Sequence, residues 1–445
     1  MRRRAKIIKR IKPELPGGFR DYAPADAIMR QRLIEKIRKT FEAFGFDPME
    51  TPAIERTEVL VGGEKESQKI IFNIKGSRDK KSDASLRFDL TVPLARFYTA
   101  NQEIPRPLKR YQIGQAWRGE SPQAGRYREF MQADIDIIGV SSMEADSEIV
   151  TLIYSVFKNL GMNRFLIKIN NRKILNGLPV YAGFPEKKLE DVLRAIDKKD
   201  KIGEVRVVKE LAKTIRKAAT EKVIEFLKTS GDTKEKLLRA REIFKESETA
   251  REGIQELTDI AKYLNAFGLD QKNWEIDFSI VRGLGYYTGP VFETILTARP
   301  ELGSMFSGGR YDNLMLPFTG QKIPAVGASL GVDRLYAALN TLGILKKKAT
   351  VTKVLILSIV PEFMSDYLSC AKNLRGANIN TAVYCGDDKT FQAQLAYAVK
   401  KEIPYILIYG EEEKKKGVVK IKNLATREQK EIRLADVIAY FNTAA

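Results

Sequence analysis

The chain has 445 residues, 44% hydrophobic and 30% charged, so it is long enough for two or three domains with buried cores. Lysine and arginine number 76 against 57 acidic residues, and the net charge of +19 favours a polyanionic partner, nucleic acid first, although a generally basic surface gives the same excess. The absence of histidine excludes Ser–His and Cys–His catalysis and histidine-ligated metals, and no apolar run reaches the length of a membrane span.

The first part of a catalytic domain is predicted over residues 1–177. It begins with a basic arm, residues 1–12, that lacks the apolar core of a secretory signal, with a transit peptide as the minor alternative. Apolar residues at helical spacing predict a helix over 24–45. The proline-broken stretch 46–54 is then expected to be extended.

A large, mostly antiparallel sheet is predicted next, because the strand-like segments are short and flanked by turns. Residues 178–265 interrupt it with a lysine- and glutamate-rich helical insertion, and residues 266–343 complete the catalytic domain with a final helix over 332–342. The predicted strands are 84–90, 109–117, 126–139, 165–170, 275–282, 290–297, 303–308 and 325–331.

A small α/β domain is predicted over 353–445, after a linker at 344–352, because strands and helices alternate there. A hairpin, 418–422 with 428–433, and a helix over 434–443 are expected to close it, and residues 411–416 are expected to form a solvated turn. The two cysteines, Cys370 and Cys385, fit no metal or redox spacing; reduced thiols and a cytoplasmic location are therefore expected.

A hairpin after residue 117 carries arginines on both sides of its loop. Arg118 and Glu120 end one strand, and Arg126 and Arg128 begin the returning strand. Guanidinium groups bind phosphate bidentately and keep their charge, so the hairpin suits a nucleoside triphosphate. A basic hairpin with surface ion pairs is an equally acceptable interpretation of this segment taken alone.

The returning strand places Gln132, Asp134 and Asp136 on one face, since side chains alternate along a strand. Three polar residues on a central strand are costly to bury unless they line a site. A half-exposed sheet face is the less favoured alternative.

Two glycine-rich segments, 279–293 and 307–313, mix arginine and tyrosine with apolar residues. Glycine permits close approach to a ligand, so these segments predict two walls of a pocket for a small, charged molecule. Segment 325–335 passes from strand to helix and places Arg334 in the first helical turn. An anion there would relieve the unfavourable placement of positive charge near a helix N-terminus.

In order along the chain, these segments resemble the class II aminoacyl-tRNA synthetases, and among them the histidyl-tRNA synthetases. The resemblance implies an α+β fold with a class II antiparallel sheet, a helical insertion and a C-terminal α/β anticodon-binding domain. The matching motifs are Pro16–Tyr22, Pro52 of motif 1, Leu86–Pro93, Arg118-Gly-Glu120 of motif 2, Arg282–Gly289, Ser307–Asp312, and Gly327–Arg334 of motif 3.

By position, the resemblance implies a role for each site residue. The implied catalytic residues are Arg118 and Arg282, and no resident metal is implied. Glu120, Arg126 and Arg334 join Arg118 in binding ATP, which arrives with Mg²⁺. The implied histidine-binding residues are Asp89, Thr91 and Gln132 for the α-amino group, Asp136 and Tyr287 for the imidazole, Arg282 for the carboxylate, and Tyr286 and Tyr311 along the wall.

The implied activity is ligation of histidine to tRNA(His), with ATP, L-histidine and tRNA as partners and a homodimer formed through motif 1 around Pro52. One alternative is a non-catalytic, histidine-sensing regulatory subunit of ATP phosphoribosyltransferase, and another is a regulatory RNA-binding module. The retained C-terminal domain, Arg118, Glu120 and Arg282 favour the ligase.

Four positions depart from common forms of the family: Asp89, Ser121, Met131 and Gly285. They are more typical of archaeal and eukaryotic members than of the common bacterial ones. Ser121 stands where many bacterial members carry an arginine that contacts the tRNA acceptor end, so the departures bear on tRNA contacts and not on adenylation.

Overall fold

The computed structural model describes residues 11–62, 67–77, 83–121, 126–281, 287–345 and 347–443. The chain divides into two compact units. One comprises the segment that ends at Arg20 together with Leu33–Leu342, and the other comprises Asp21–Arg32 together with the segment from Gly343 onwards. Among the described helices, none combines the length and the apolar character needed to cross a membrane.

The first unit is built on an eight-stranded sheet with the order β1-β5-β6-β11-β10-β9-β7-β8, and β2, β4 and β3 form a separate small sheet. Five of the seven neighbouring pairs in the large sheet are antiparallel, as predicted, and the two outermost pairs are parallel. Its strands are β1 (Asp47–Pro48), β2 (Ile54–Arg56), β3 (Phe72–Ile74), β4 (Ala84–Leu86), β5 (Leu108–Trp117), β6 (Glu129–Ile138), β7 (Phe165–Asn171), β8 (Trp274–Ile276), β9 (Pro290–Leu296), β10 (Ser304–Arg310) and β11 (Ala325–Gly331).

Helices cover one face of this sheet and fill the stretch between β7 and β8. Helix α4 packs on β6, β7, β10 and β11, with Ile149, Ile153 and Phe157 fully buried. The helices are α1 (Pro24–Ala43, divided between the units), α2 (Thr57–Val61), α3 (Thr91–Ala100), α4 (Met143–Asn159), α5 (Arg172–Asn176), α6 (Leu178–Ala182), α7 (Leu189–Asp197), α8 (Lys199–Ile202), α9 (Glu204–Thr214), α10 (Lys217–Leu227), α11 (Thr233–Ile243), α12 (Glu248–Ala266), α13 (Leu316–Thr319) and α14 (Val332–Thr341).

Two predicted strands end several residues earlier in the structure. The strand predicted over 84–90 ends at Leu86, because the Asp89 side chain accepts a hydrogen bond from the Val92 amide (3.0 Å) at the start of α3. The strand predicted over 275–282 ends at Ile276, because Asp277 accepts hydrogen bonds from the amide and hydroxyl of Ser279 and turns the chain.

The second unit contains a five-stranded sheet with the order β13-β12-β14-β15-β16. The first three strands in this order are parallel neighbours and the last three form antiparallel pairs, which agrees with the predicted α/β alternation and hairpin. Its elements are β12 (Val354–Ile356), α15 (Met364–Gly376), β13 (Thr381–Val383), α16 (Phe391–Lys400), β14 (Tyr405–Ile408), α17 (Glu411–Lys416), β15 (Val418–Asn423), β16 (Gln429–Arg433) and α18 (Val437–Thr443).

The turn predicted over 411–416 is wrong, since these residues form α17. Glu413 accepts a hydrogen bond from the Gly410 amide (2.8 Å), which satisfies a donor at the helix start. Gly417 follows with φ 68°, a left-handed conformation that suits glycine and ends the helix.

A buried ion pair ties the sheet to α4. Arg310, the last residue of β10, pairs with Asp146, and the two are 3% and 0% exposed. The Arg310 guanidinium also donates to the carbonyls of Val140 (2.9 Å) and Ser142 (3.3 Å). Burial raises the pKa of Asp146 to about 6, although Arg310 opposes the shift.

We expect Asp146→Ala to lower the free energy of unfolding by about 3–5 kcal/mol, because it leaves the Arg310 guanidinium buried without its counter-ion. The measurement is urea unfolding followed by tryptophan fluorescence. The two tryptophans, Trp117 and Trp274, both lie in the first unit, so the signal reports on that unit. Asp191→Ala, which removes an exposed partner of Arg194, is the control and should leave the transition unchanged. An equal effect of both substitutions would contradict the prediction.

Candidate active site

A polar face runs across the middle of the large sheet. Residues that pair across antiparallel strands point to the same side, so the register gives its composition. The face consists of Gln132, Asp134 and Asp136 on β6, Gly114, Gln112 and Arg110 opposite them on β5, and Gly331, Ser329 and Gly327 opposite them on β11. The intervening β6 residues Ala133, Ile135 and Ile137 are buried on the other side, as the alternation predicted.

Asp136 is bound by two groups at the floor of this face. Its Oδ2 atom lies 2.7 Å from Nη2 of Arg110, and its Oδ1 atom accepts a hydrogen bond from the Tyr311 hydroxyl. All three side chains are buried. Burial raises the pKa of Asp136, while Arg110 and then Tyr311 oppose the shift. Oδ2 accepts no directed hydrogen bond, so lone pairs remain for a ligand N–H group.

Gly327 is the residue that lets Asp136 occupy this position. A Cβ atom at Gly327 would lie 2.0 Å from Oδ1 of Asp136 and 2.6 Å from the Ile135 carbonyl oxygen. Any larger residue would therefore displace the carboxylate or the strand. This glycine of the predicted close-approach segment is required for packing against the acidic side chain.

Two residues near Asp136 on β6 carry oxygen atoms without hydrogen-bond partners of good geometry. Gln132 donates through Nε2 to the Ser329 hydroxyl (2.5 Å), but its Oε1 atom accepts no hydrogen bond. Asp134 is 2% exposed, and neither of its oxygens has a partner of good hydrogen-bond geometry. Burial raises the pKa of Asp134 to about 7, although Arg110 and the Ser329 hydroxyl oppose the shift.

Asp89 and Thr91 lie where the chain enters α3, beside this face. Asp89 is partly buried; desolvation raises its pKa, while the Val92 amide and the charge of Arg118 oppose the shift. Thr91 is the first residue of α3. Arg87 fixes the chain segment that precedes Asp89 and Thr91, since its guanidinium donates to the carbonyls of Thr51 (2.6 Å) and Gln115 (2.8 Å).

The arginines predicted for the hairpin lie in different surroundings. Arg118 is partly buried: its Nε donates to the Phe88 carbonyl (3.1 Å) and its guanidinium lies over the Phe130 ring. Glu120 and Arg126 are exposed at the end of the hairpin. The returning strand begins at Glu129, three residues later than predicted, because the Arg128 amide donates to the Gly18 carbonyl (2.8 Å) outside the ladder.

Arg334 and its neighbour Asp333 connect the start of α14 to the neighbouring strands. Arg334 donates through Nη1 to the Ser304 carbonyl (2.7 Å) on β10. The Asp333 carboxylate accepts from the Met131 amide (2.7 Å) and lies 3.2 Å from the Arg20 guanidinium. These contacts hold the ends of β6, β10 and β11 together at one edge of the polar face.

The glycine-rich segment 279–293 is described at both ends. Before its gap, the Asn170 amide donates to the carbonyls of Phe278 (3.1 Å) and Ile280 (2.8 Å). After the gap, the Tyr287 ring lies against Gly309, where an added Cβ would approach within 2.8 Å, and burial raises the pKa of Tyr287. The predicted site residues Arg282 and Tyr286, and the departure Gly285, lie outside the described residues.

The structure therefore brings together Asp89, Arg118, Gln132, Asp136, Tyr287 and Tyr311, with Thr91 at the adjoining helix start. The sequence did not predict that Arg110 and Ser329 belong to the site, or that Asp134 carries unpaired acceptor atoms there. Arg110, Gln112 and Gly114 alternate along β5 as the acidic residues do along β6, and that pattern was the available signal. No group of three or more acidic or cysteine side chains in the described ranges is arranged to hold a metal ion.

Sequence comparison matches residues 18–335 to the histidyl-tRNA synthetase family model and residues 353–443 to an anticodon-binding domain. A histidine–tRNA ligase of Clostridium tetani is 41% identical over 98% of this chain and 99% of the relative. That of Wolinella succinogenes is 42% identical over 94% and 96%, respectively. These relatives are bacterial, so the four departures do not prevent extensive similarity to bacterial members.

Solved structures give the same result. A histidyl-tRNA synthetase from Nostoc sp. PCC 7120 superimposes with a TM-score of 0.88 at 33% identity, covering 98% of this chain and 100% of the other. An ATP phosphoribosyltransferase regulatory subunit/histidyl-tRNA synthetase from Bacillus halodurans shares the fold, with a TM-score of 0.74 at 22% identity over 87% and 97% of the chains. The match to the family model over residues 18–335 and the near-full-length similarity to these relatives show that the chain belongs to the histidyl-tRNA synthetase family of class II aminoacyl-tRNA synthetases.

Proposed function

We propose that the chain activates histidine with ATP to histidyl-adenylate and transfers the histidyl group to the 3′ end of tRNA(His). The observation that carries this proposal is the buried Asp136 carboxylate, paired with Arg110 and bound by Tyr311, in a chain similar to histidine–tRNA ligases over nearly its full length. We further propose a cytoplasmic homodimer as the working form.

Asp136 is our candidate for recognising the imidazole. A neutral imidazole presents one N–H donor, and the Oδ2 atom of Asp136 retains lone pairs to accept it. Arg110 and Tyr311 keep the carboxylate oriented, and Arg110 favours its ionised form. Tyr287 and Tyr286 complete the wall in this proposal. A buried site built for a hydrogen bond rejects analogues that lack the donor far better than an apolar pocket does.

Asp89, Thr91 and Gln132 are our candidates for holding the α-amino group. Asp89 is an acid next to the first residue of α3, and the unpaired Oε1 of Gln132 offers an acceptor nearby on β6. An ammonium group carries three donors and a positive charge, which suits acceptor atoms that lack partners. The α-carboxylate would then point toward the arginines at the other end of the face.

Arg118 and Arg282 are the candidates for catalysis. A carboxylate oxygen of histidine attacks the α-phosphorus of ATP, the bond to the bridging oxygen breaks, and diphosphate leaves. The carboxylate is already ionised, so no general base is needed, and fixed positive charges stabilise the transition state by position and electrostatics. Glu120, Arg126 and Arg334 are the remaining candidates for ATP binding, and magnesium is delivered with the ATP phosphates. A tRNA hydroxyl then attacks the acyl carbon and AMP leaves.

Residues 353–443 are our candidate for binding the anticodon region, because they match an anticodon-binding domain and the chain has a net charge of +19. We assign residues 1–177 and 266–343 to the catalytic domain, 178–265 to an insertion and 344–352 to a linker. Pro52 is exposed and its carbonyl accepts from Arg87 (3.3 Å), which gives the proposed dimer contact a fixed backbone.

Purified protein should catalyse histidine-dependent exchange of labelled diphosphate into ATP, because adenylate formation is reversible. The control omits histidine or replaces it with another amino acid. A folded, dimeric protein that shows no exchange with histidine would overturn the ligase proposal. Histidine binding without exchange would instead favour the histidine-sensing regulatory alternative.

Asp136→Asn should raise the KM for histidine by about ten- to a hundredfold, the value of one hydrogen bond to a charged group, with little change in the KM for ATP. The measurement is the exchange reaction at varied histidine and ATP. Asp146→Asn is a matched control: like Asp136→Asn, it leaves a buried arginine without its anion, but it lies on the opposite side of the sheet. An unchanged histidine KM in Asp136→Asn would remove Asp136 from the pocket.

Affinity for tRNA should fall at least tenfold between 50 and 200 mM salt, because lysine and arginine contacts to phosphates release counter-ions. The measurement is filter binding of tRNA(His) transcript across the salt series. Histidine affinity in the same buffers is the control and should change much less. A flat response for tRNA would mean that the positive charge is not used to bind RNA.

A further inference from the structure

The centre of the polar face holds three buried acceptor atoms without a donor of good hydrogen-bond geometry. They are both carboxylate oxygens of Asp134 and the Oε1 atom of Gln132, and Asp134 is 2% exposed. The two residues lie two positions apart on β6 and point to the same face. Buried acceptors without donors are rare in folded proteins, because each loses its hydrogen bonds to water. This cluster therefore requires a specific explanation.

The groups around this cluster each have a contact other than Asp134. On β5, Arg110 pairs with Asp136 through Nη2, although its Nε and Nη1 atoms have no hydrogen-bond partner, and Gln112 bonds with Thr51. Ser329 on β11 accepts from Gln132, and its hydroxyl opposes the raised pKa of Asp134. From the segment before α3, Arg87 donates to backbone carbonyls, and Asp89 adds like charge. Asp136 also repels Asp134 from the same strand, and the Tyr287 phenol lies close enough for the negative charge of Asp134 to raise its pKa. Among the described residues, no lysine or arginine donates a hydrogen bond of good geometry to Asp134.

The missing partner has a defined chemistry. It must supply several N–H donors to acceptors within a small area, and it must carry positive charge, because neighbouring Asp89 and Asp136 make the face acidic. A primary ammonium group meets both requirements. Asp89 is less well placed to bind the ammonium group alone, since one of its oxygens already accepts a hydrogen bond from the Val92 amide.

We propose that Asp134 is the anionic partner of the α-ammonium group of the amino acid substrate, with Gln132 Oε1 as a second acceptor. The proposal rests on the proposed histidine-activating function and adds a specificity-determining residue to it. Asp134 did not belong to the set implied by family resemblance, which assigned the ammonium group to Asp89, Thr91 and Gln132. On this assignment, the carboxylate acquires its counter-ion when substrate binds.

Ligand-free protein should show the electrostatic consequence. The pKa of Asp134 in the fold, about 7, lies above its ordinary value of 3.8, so the fold retains a proton that the unfolded chain has lost. Binding of that proton adds to the free energy of unfolding at low pH. The added stability is lost as pH rises from about 4 to about 7. Ammonium binding favours the ionised carboxylate, so substrate binding near pH 7 should release a proton.

The test compares three ligands by isothermal titration calorimetry at pH 8. Histidine has both charged groups, histidinol lacks the carboxylate, and 3-(imidazol-4-yl)propionate lacks the ammonium. We expect Asp134→Asn to weaken histidine and histidinol by about ten- to a hundredfold and to leave the affinity for the propionate unchanged within twofold. Equal losses for all three ligands, or no loss for histidinol, would overturn the proposal.

A second measurement separates a binding role from a structural one. Near pH 7, wild-type protein should release protons on binding histidinol, measured in buffers of different ionisation enthalpy, and Asp134→Asn should release fewer. Without ligand at pH 8, Asp134→Asn should unfold at a higher urea concentration than wild type, whereas Asp146→Asn should unfold at a lower one. Unchanged proton release together with a lower urea midpoint in Asp134→Asn would overturn the proposal.

The outcomes distinguish this inference from the function on which it rests. If wild-type protein shows no histidine-dependent exchange of diphosphate into ATP, the ligase function fails, whatever the variant does. If wild type exchanges normally and Asp134→Asn does not discriminate between the ammonium-bearing ligands and the propionate, the function stands and only the assignment of Asp134 fails.

Discussion

The ion pair between Arg110 and Asp136 is the interaction on which the rest of the site depends. Both side chains are buried in the middle of an eight-stranded sheet, so each is acceptable there only because the other is present. The pair fixes the position of a carboxylate that one phenol and one close glycine, Tyr311 and Gly327, then hold in place. A ligand that approaches meets an oriented acceptor and need not order it first.

The contacts farther from the pocket each fix one segment that carries it. Arg310 and Asp146 join β10 to α4 on the reverse face of the sheet. Asp312 accepts from the Thr288 hydroxyl (3.1 Å) and the Ala325 amide (3.2 Å), which sets the glycine-rich segment against β11. Asp333 holds the amide of Met131 at the start of β6. Buried polar side chains thus place strand ends that apolar packing alone would leave free to slide.

Local patterns predicted much of this fold. Alternation identified β5, β6 and β11, and helical spacing identified α1 and the helices between β7 and β8, because these signals come from neighbouring residues. Local pattern failed where a side chain ends an element: Asp89 turns an apparent strand into the start of α3, and Glu413 makes a helix of a charged turn. Arg310 and Asp146 are 164 residues apart, and only the assembled sheet shows that they meet.

The site has more acidic than basic side chains on its floor and an arginine toward the hairpin, and this arrangement needs no histidine in the chain. Acidic side chains lie along the buried floor, where Asp134 and Asp136 have raised pKa values, and Arg118 lies toward the hairpin. An amino acid is itself a separated pair of charges, so it can lie along this gradient with its ammonium over the acids and its carboxylate toward the arginines. The cost of the acidic floor falls on the ligand-free fold, and in our proposal the substrate ammonium relieves it. Stability is therefore lowered at the position where selectivity for the substrate is gained.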